Sequence, residues 1–408
     1  MRIAWYSNGA HTPTGYGTQT AQVLRRLKAD GHDVDLLANY GDVAGLHDTG
    51  MLSQDESLLG IPQWSQGHAQ YSLDVVDDQC KLVFQDEPGW VITLYDVWVL
   101  RGAFQDQRVI SWTPIDHLPV PPEVATWCIE HRTIAMSKYG QAALADEGIT
   151  ADYIPHAIEK VFSPTESDIR KRMKVPDDAF LVMMNAANVG RTPPRKAWDE
   201  NLQALAAFAR DHDDVVIYLH TDLTRPNGVP LPRLINLLGI KPTQLRKPDL
   251  MAYRNGLIPD TQLAATYSAS DVLLAVSMGE GFGVPTIEAM GCGTPAIVTN
   301  FSAQPELVGD TGWKVACQLK YNENHHAFLA TPFVGAIREA LEEAYAERGT
   351  DKAATRSAAA IAKAKEYDAD YVYATHWRPL LAELEEDLKP KRKAMSKAAK
   401  RRIAKAAA

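Results

Sequence analysis

The chain has 408 residues, 46% of them hydrophobic and 23% charged, with a formal net charge of −9. That length favours two domains over one, and the composition excludes a disordered, fibrous or collagen-like chain. No apolar run reaches the roughly 20 residues that span a bilayer.

The start, MRIAWYSN, reads as a strand with no basic and apolar leader before it, so a cytoplasmic location is expected. A glycine-rich loop follows over 8–18 (NGAHTPTGYGT), then a helical pattern over 18–30 with Ala21, Leu24 and Leu27 on one face, and a second strand over 33–38. This strand–loop–helix–strand unit implies a parallel sheet with a right-handed crossover. Apolar runs recur at 81–84, 90–97, 109–114 and 132–136, while 42–75 shows no clear pattern. Prolines and a change of register near 154–164 mark a linker.

The alternation then restarts. Strands are expected over 180–186, 215–221, 252–257, 272–276 and 295–299. Helices are expected over 198–211, 231–238, 261–269, from 288 to 291, and over 333–345. A last helical pattern, 371–386, contains Trp377. The expected fold class is therefore α/β, with two doubly wound domains facing across a cleft. The first domain covers 1–160 and the second 161–370, followed by a helix over 371–388 and a basic tail over 389–408. Ligands of such sheets bind at the carboxyl ends of the strands.

The tail polarises the molecule. Residues 389–408 carry nine basic and no acidic side chains, which leaves 33 basic against 51 acidic over the rest, a charge of −18. A disordered solubilising tail is the simplest reading. Nucleic acid or an anionic membrane surface would also suit its charge. Four cysteines, Cys80, Cys128, Cys292 and Cys317, lack metal-ligand or redox-pair spacing and are expected to be reduced and mostly buried.

The strongest motif is 277–300, SMGEGFGVPTIEAMGCGTPAIVTN. Glu280 and Glu288 flank the Gly281-Phe282-Gly283 turn, which feeds a helix. Such a turn brings backbone N–H groups to anionic oxygens, and carboxylates accept hydrogen bonds from sugar hydroxyls. A second motif, 188–201 (NVGRTPPRKAWDEN), sets Arg191 and Lys196 five residues apart with Arg195 between them. Cations so placed would stabilise a leaving diphosphate. Asp116 and His117 end an apolar strand (TPIDH), where catalytic side chains of such sheets belong, and Asp96 is a weaker candidate of the same kind. Gly15-Tyr16-Gly17 lacks the G-x-G-x-x-G spacing of a dinucleotide site. Asp33-Val34-Asp35 and Asp368-Ala369-Asp370 match a metal-binding Asp-x-Asp in letters only, and no catalytic metal is expected.

Together these strings resemble the retaining glycosyltransferases of family four, which have the GT-B fold. The resemblance covers most of 1–385. It implies transfer of a sugar from a nucleotide-diphosphate sugar, UDP- or GDP-linked, to a hydroxyl acceptor that it leaves unnamed (glycan, lipid, protein or a modified DNA base). In that frame Asp116, His117, Glu280, Arg191 and Lys196 are the catalytic candidates. Gly15, Tyr16, Gly17, Arg195, Gly281, Phe282, Gly283 and Glu288 are the donor-binding candidates, Glu288 toward the ribose. Relatives carry His-Asp where this chain has Asp116-His117. The C-terminal helix is expected to cross back onto the first domain, as in the family. The alternative is a non-catalytic nucleotide-sugar or glycan-binding protein on the same fold.

Overall fold

The computed structural model describes residues 1–41, 43–190 and 194–389. Two parallel sheets organise the chain. In the first, β1 (Arg2–Asn8) and β2 (Asp33–Tyr40) are joined by the helix Gly15–Ala29. A short antiparallel edge pair, β3 (His47–Asp48) and β4 (Pro62–Trp64), extends one side. β5 (Gly89–Leu94), β6 (Val109–Thr113), β7 (Arg132–Ala135) and β8 (Ala151–Tyr153) extend the other. The order is β3-β4-β2-β1-β5-β6-β7-β8. The unreadable stretch 42–75 thus supplies the sheet edge, with strands too short to show a period.

The second sheet is built from β9 (Phe180–Asn185), β10 (Val215–His220), β11 (Leu245–Arg246), β12 (Val272–Leu274), β13 (Ala296–Thr299) and β14 (Trp313–Val315). Its order is β11-β10-β9-β12-β13-β14. Both sheets are covered on both faces, which is why the centres of β1 (IAWY) and β10 (VVIYL) read as unbroken apolar runs rather than alternations. A separate antiparallel hairpin, β15 (Cys317–Asn322) and β16 (Ala327–Pro332), follows β14.

Three local expectations are corrected. The strand expected over 252–257 is instead the helix Leu250–Arg254 and its exit, with Asp249 accepting from the Ala252 amide at 2.8 Å as N-cap. The place beside β10 is already taken by β11. Gly15, Tyr16 and Gly17 are not loop residues but the first turn of their helix, capped by the Thr14 side chain. Glu288 does not open a helix. It is the fifth residue of Val284–Gly291, so stabilisation by the helix N-terminus does not apply to it. The hairpin and the helix Asp351–Ala364 are additions that no periodicity announced.

The two crossings between the sheets are tied together: the Ile158 amide donates to Tyr367 O at 2.9 Å, and the Ala369 amide to Ile158 O at 3.0 Å. Beyond them the chain runs helically through a π turn, Tyr373–Trp377, into the helix Arg378–Leu388. Trp377 is buried against Trp5 of β1 (ring centroids 5.7 Å apart) and Trp112 of β6 (5.1 Å). Arg132 pairs with Glu383 at 2.9 Å, and the Trp90 indole donates to Leu384 O at 3.1 Å. Cys80, Cys128 and Cys292 are buried, Cys317 is partly exposed, and all four are free thiols. Among the described residues no helix is long and apolar enough to cross a membrane.

Candidate active site

The loop between β12 and the helix Val284–Gly291 is held rigidly. Thr299 of β13 donates through its hydroxyl to Ser277 O at 2.5 Å and accepts from the Ser277 amide at 3.2 Å. The Glu280 amide donates to the Ser302 hydroxyl at 2.9 Å. The next three amides, those of Gly281, Phe282 and Gly283, donate to no protein acceptor among the described residues. Gly283 has φ +116°, a backbone conformation that side chains other than glycine's resist. Phe282 points away from solvent into the core, against the rings of His156 (5.4 Å) and Tyr367 (5.5 Å).

Glu280 stands between two cations. Its Oε1 accepts from Lys196 Nζ at 2.5 Å and from the Ser277 hydroxyl at 2.5 Å, and its Oε2 accepts from Arg195 Nη1 at 2.8 Å. Burial alone would raise the Glu280 carboxyl, but Arg195 and Lys196 outweigh it and hold the group well below the carboxylate range. Burial pulls the Lys196 ammonium down despite its carboxylate partner. Arg195 also donates to Gly279 O at 2.6 Å. Arg191 lies outside the described residues.

The first domain meets this loop edge-on. Asp116 Oδ2 is 4.0 Å from Arg195 Nη1, and its Oδ1 accepts from His117 Nδ1 at 2.6 Å. Burial would raise Asp116, but the hydrogen bond from His117, together with the charge of Arg195, lowers it. A Cβ on Gly279 would come 2.4 Å from Asp116 O, and one on Gly281 would come 2.2 Å from Pro114 Cβ. Those two glycines therefore permit the close approach of the domains. Tyr16 donates its hydroxyl to Asp96 Oδ2 at 3.2 Å. Burial, reinforced by the charge of Asp116, pushes Asp96 up to about 6. Gly17 fits tightly, since a Cβ would meet Thr12 Oγ1 at 2.3 Å, whereas Gly15 faces open space.

A cleft of about 300 Å³ opens between the domains, lined by Asp96, Trp98, Asp116 and His117 on one side and Arg195, Asn322, Asn324 and His325 on the other. The hairpin β15–β16 reaches across it. Leu118 and Phe328 exchange backbone bonds at 3.0 and 2.7 Å, and His325 lies 5.2 Å from the Trp98 ring and 4.9 Å from His117. Sequence reasoning missed these hairpin residues. Their one trace was the polar stretch NENHH between two more apolar stretches. A smaller recess, lined by Lys196, Ser277, Glu280 and Gly283, lies on the second-domain side.

Glu288 sits apart from both openings. It is buried, accepts from the Tyr267 hydroxyl at 2.8 Å, and burial pushes it up to about 7. Tyr267 in turn accepts from the Asn185 amide at 2.6 Å. Thr221 and Asp222 line neither opening; Asp222 pairs with Arg254 at 2.7 Å.

Two doubly wound domains with a clamped glutamate loop at their junction define the GT-B glycosyltransferase fold. Residues 185–331, in the body of the second domain, match the family model described as glycosyl transferases group 1. The chain is 35% identical over 153 residues to an MMP alpha-(1->4)-mannosyltransferase of Mycolicibacterium hassiacum, covering 38% of this chain and 32% of the relative. It is 30% identical over 233 residues to a D-inositol 3-phosphate glycosyltransferase of Streptomyces bingchenggensis, covering 54% and 49%. The matches thus span half or less of these curated relatives. Among solved structures, a sucrose-phosphate synthase of Thermosynechococcus elongatus superposes with a TM-score of 0.69 at 18% identity, covering 93% of this chain and 99% of the other. The Anabaena protein HepE in complex with UDP-glucose superposes with a TM-score of 0.67 at 17% identity, covering 94% and 100%. These likenesses establish the GT-B fold.

Proposed function

We propose that the chain is a retaining glycosyltransferase that moves a hexose from a UDP- or GDP-linked sugar to an acceptor hydroxyl without a metal cofactor. The observation that carries this reading is Glu280 clamped by Arg195 and Lys196 beside three amides that have no acceptor among the described residues, at the interdomain junction. The amides of Gly281–Gly283, with the following helix end, suit the anionic diphosphate. Glu280, fully ionised, would accept hydroxyl hydrogen bonds from the donor hexose; the ribose contact that the family resemblance gives to Glu288 would require that buried carboxyl, now bonded to Tyr267, to become accessible.

In the proposed step the bond from the anomeric carbon to the diphosphate oxygen breaks, and its electron pair leaves with the diphosphate. The acceptor oxygen attacks the same face, and its proton passes to the departing phosphate oxygen. Lys196 and Arg195 stabilise the developing negative charge, a role that Arg191 shares in the family resemblance. Asp116 and His117, on the facing strand end, contact the sugar or the acceptor hydroxyl. The closeness of the two domains excludes water.

The names of the relatives put mannosyl transfer, and D-inositol 3-phosphate as acceptor, among the first combinations to assay. The neighbour solved with UDP-glucose does the same for that donor. A cytoplasmic location and an anionic partner for the tail, nucleic acid included, complete the reading. Incubation with a panel of UDP- and GDP-sugars, read by release of nucleoside diphosphate and by mass spectrometry, tests it. A non-catalytic binding protein would retain the donor and release no diphosphate.

A further inference from the structure

We infer that the cleft between the first domain and the hairpin β15–β16 is an acceptor site selective for hydroxyl-rich molecules that carry no phosphate or carboxylate. This rests on the proposed glycosyl transfer. Lys196, Glu280 and the amides of Gly281–Gly283 belong to the donor side, so the volume of about 300 Å³ between the first domain and the hairpin is assigned to the acceptor. It lies at the lower end of the range, roughly 300–1,000 Å³, of small-molecule sites.

The walls are unsuited to an anion. Two carboxylates, Asp96 and Asp116, face the cleft. Among the described residues the only Lys or Arg in its lining is Arg195, which the proposed transfer assigns to the donor diphosphate and whose Nη1 already bonds Glu280 Oε2 and Gly279 O. A phosphate entering here would sit beside two negative charges in a partly buried setting, where repulsion is weakly screened.

The same walls suit hydroxyls. Asp96 Oδ2 accepts from Tyr16, while Oδ1 has no protein donor among the described residues and is open to a hydroxyl. The side-chain amide of Asn324 makes no protein bond among the described residues and offers both a donor and an acceptor. The Trp98 ring, 37% exposed, and His325 present flat faces on which a sugar or cyclitol ring can lie.

The test uses the full chain, the UDP- or GDP-sugar it cleaves fastest, and two matched acceptor pairs: myo-inositol against inositol 3-phosphate, and glucose against glucose 6-phosphate. Nucleoside diphosphate release and product mass are read for each. The expected result is a kcat/KM at least tenfold higher for the uncharged member of each pair. Asp96→Asn should narrow that ratio at least threefold while the Kd for free nucleoside diphosphate stays the same. Equal or better use of a phosphorylated member, no response to any of the four, or a ratio unmoved by Asp96→Asn overturns the inference. If no sugar nucleotide is cleaved with or without acceptor, the glycosyltransferase reading itself falls and takes this inference with it. Cleavage with reversed acceptor preference sinks this inference alone.

Discussion

Asn322 of the hairpin donates its side-chain amide to Nε2 of His117, 3.2 Å away, while Nδ1 of the same ring bonds Asp116. One histidine thus connects an added element of the second domain to the strand end of the first. With the proton on Nδ1, both ring nitrogens are satisfied: Nδ1–H donates to the carboxylate and Nε2 accepts from the amide. Asn322→Ala frees the ring to turn. Acceptor kcat/KM should fall about ten- to hundredfold, as for a misplaced positioning contact. Isothermal titration should show an unchanged Kd for nucleoside diphosphate.

Glu280→Ala removes the carboxylate that both cations share. Turnover is expected to fall by about a hundredfold or more. Nucleotide binding should be retained, because Lys196 and Arg195 are released toward the diphosphate. Normal turnover in steady-state assays would show that Glu280 has no part in the reaction.

Gly281→Ala tests the close approach of the domains. Its Cβ would lie 2.2 Å from Pro114 Cβ and 2.8 Å from Pro114 Cα, and the proline ring has little freedom to yield. The loop and the strand end must then separate. We expect at least a tenfold loss of kcat, with a smaller effect on donor Kd, since the proposed arrangement places the nucleotide on the face of the second domain.

Glu288 makes stability depend on pH. Its folded carboxyl is pushed up to about 7 from 4.5 by burial, so between those values the folded state binds the proton that the unfolded chain has released. Stability is therefore lost as pH rises through that window, and the loss levels off above pH 7. Glu288→Gln keeps an oxygen for the Tyr267 hydroxyl and carries no charge. Denaturant unfolding should show it about 1–3 kcal/mol more stable than the parent at pH 8, with the gain vanishing near pH 4.

Trp377→Ala opens a cavity between β1 and β6 where Trp5, Trp112 and Trp377 meet. A large fully buried ring lost in this way costs about 3–5 kcal/mol. A fall in thermal midpoint measured by calorimetry checks it.

The sequence by itself determined the two doubly wound sheets, because strands buried on both faces need continuous apolar centres, as in the IAWY of β1 and the FLVMM of β9. It also carried the glutamate loop, whose glycines and carboxylates are contiguous. It misled at 250–257, where apolar spacing could not say that β11 already occupied the sheet edge, and at Glu288, whose place in its helix depends on where that helix starts. Only the tertiary structure decided that Asp116, Arg195 and Glu280 stand together, and that Asn322 and His325 wall the same cleft. Those residues come from two domains and an added hairpin, and His117 and Asn322 are 205 positions apart. Local periodicity reports which face of an element is buried. Which strand ends meet across a cleft depends on how two finished domains pack, and that is set by close backbone approach at Gly279 and Gly281 rather than by any pattern along the chain.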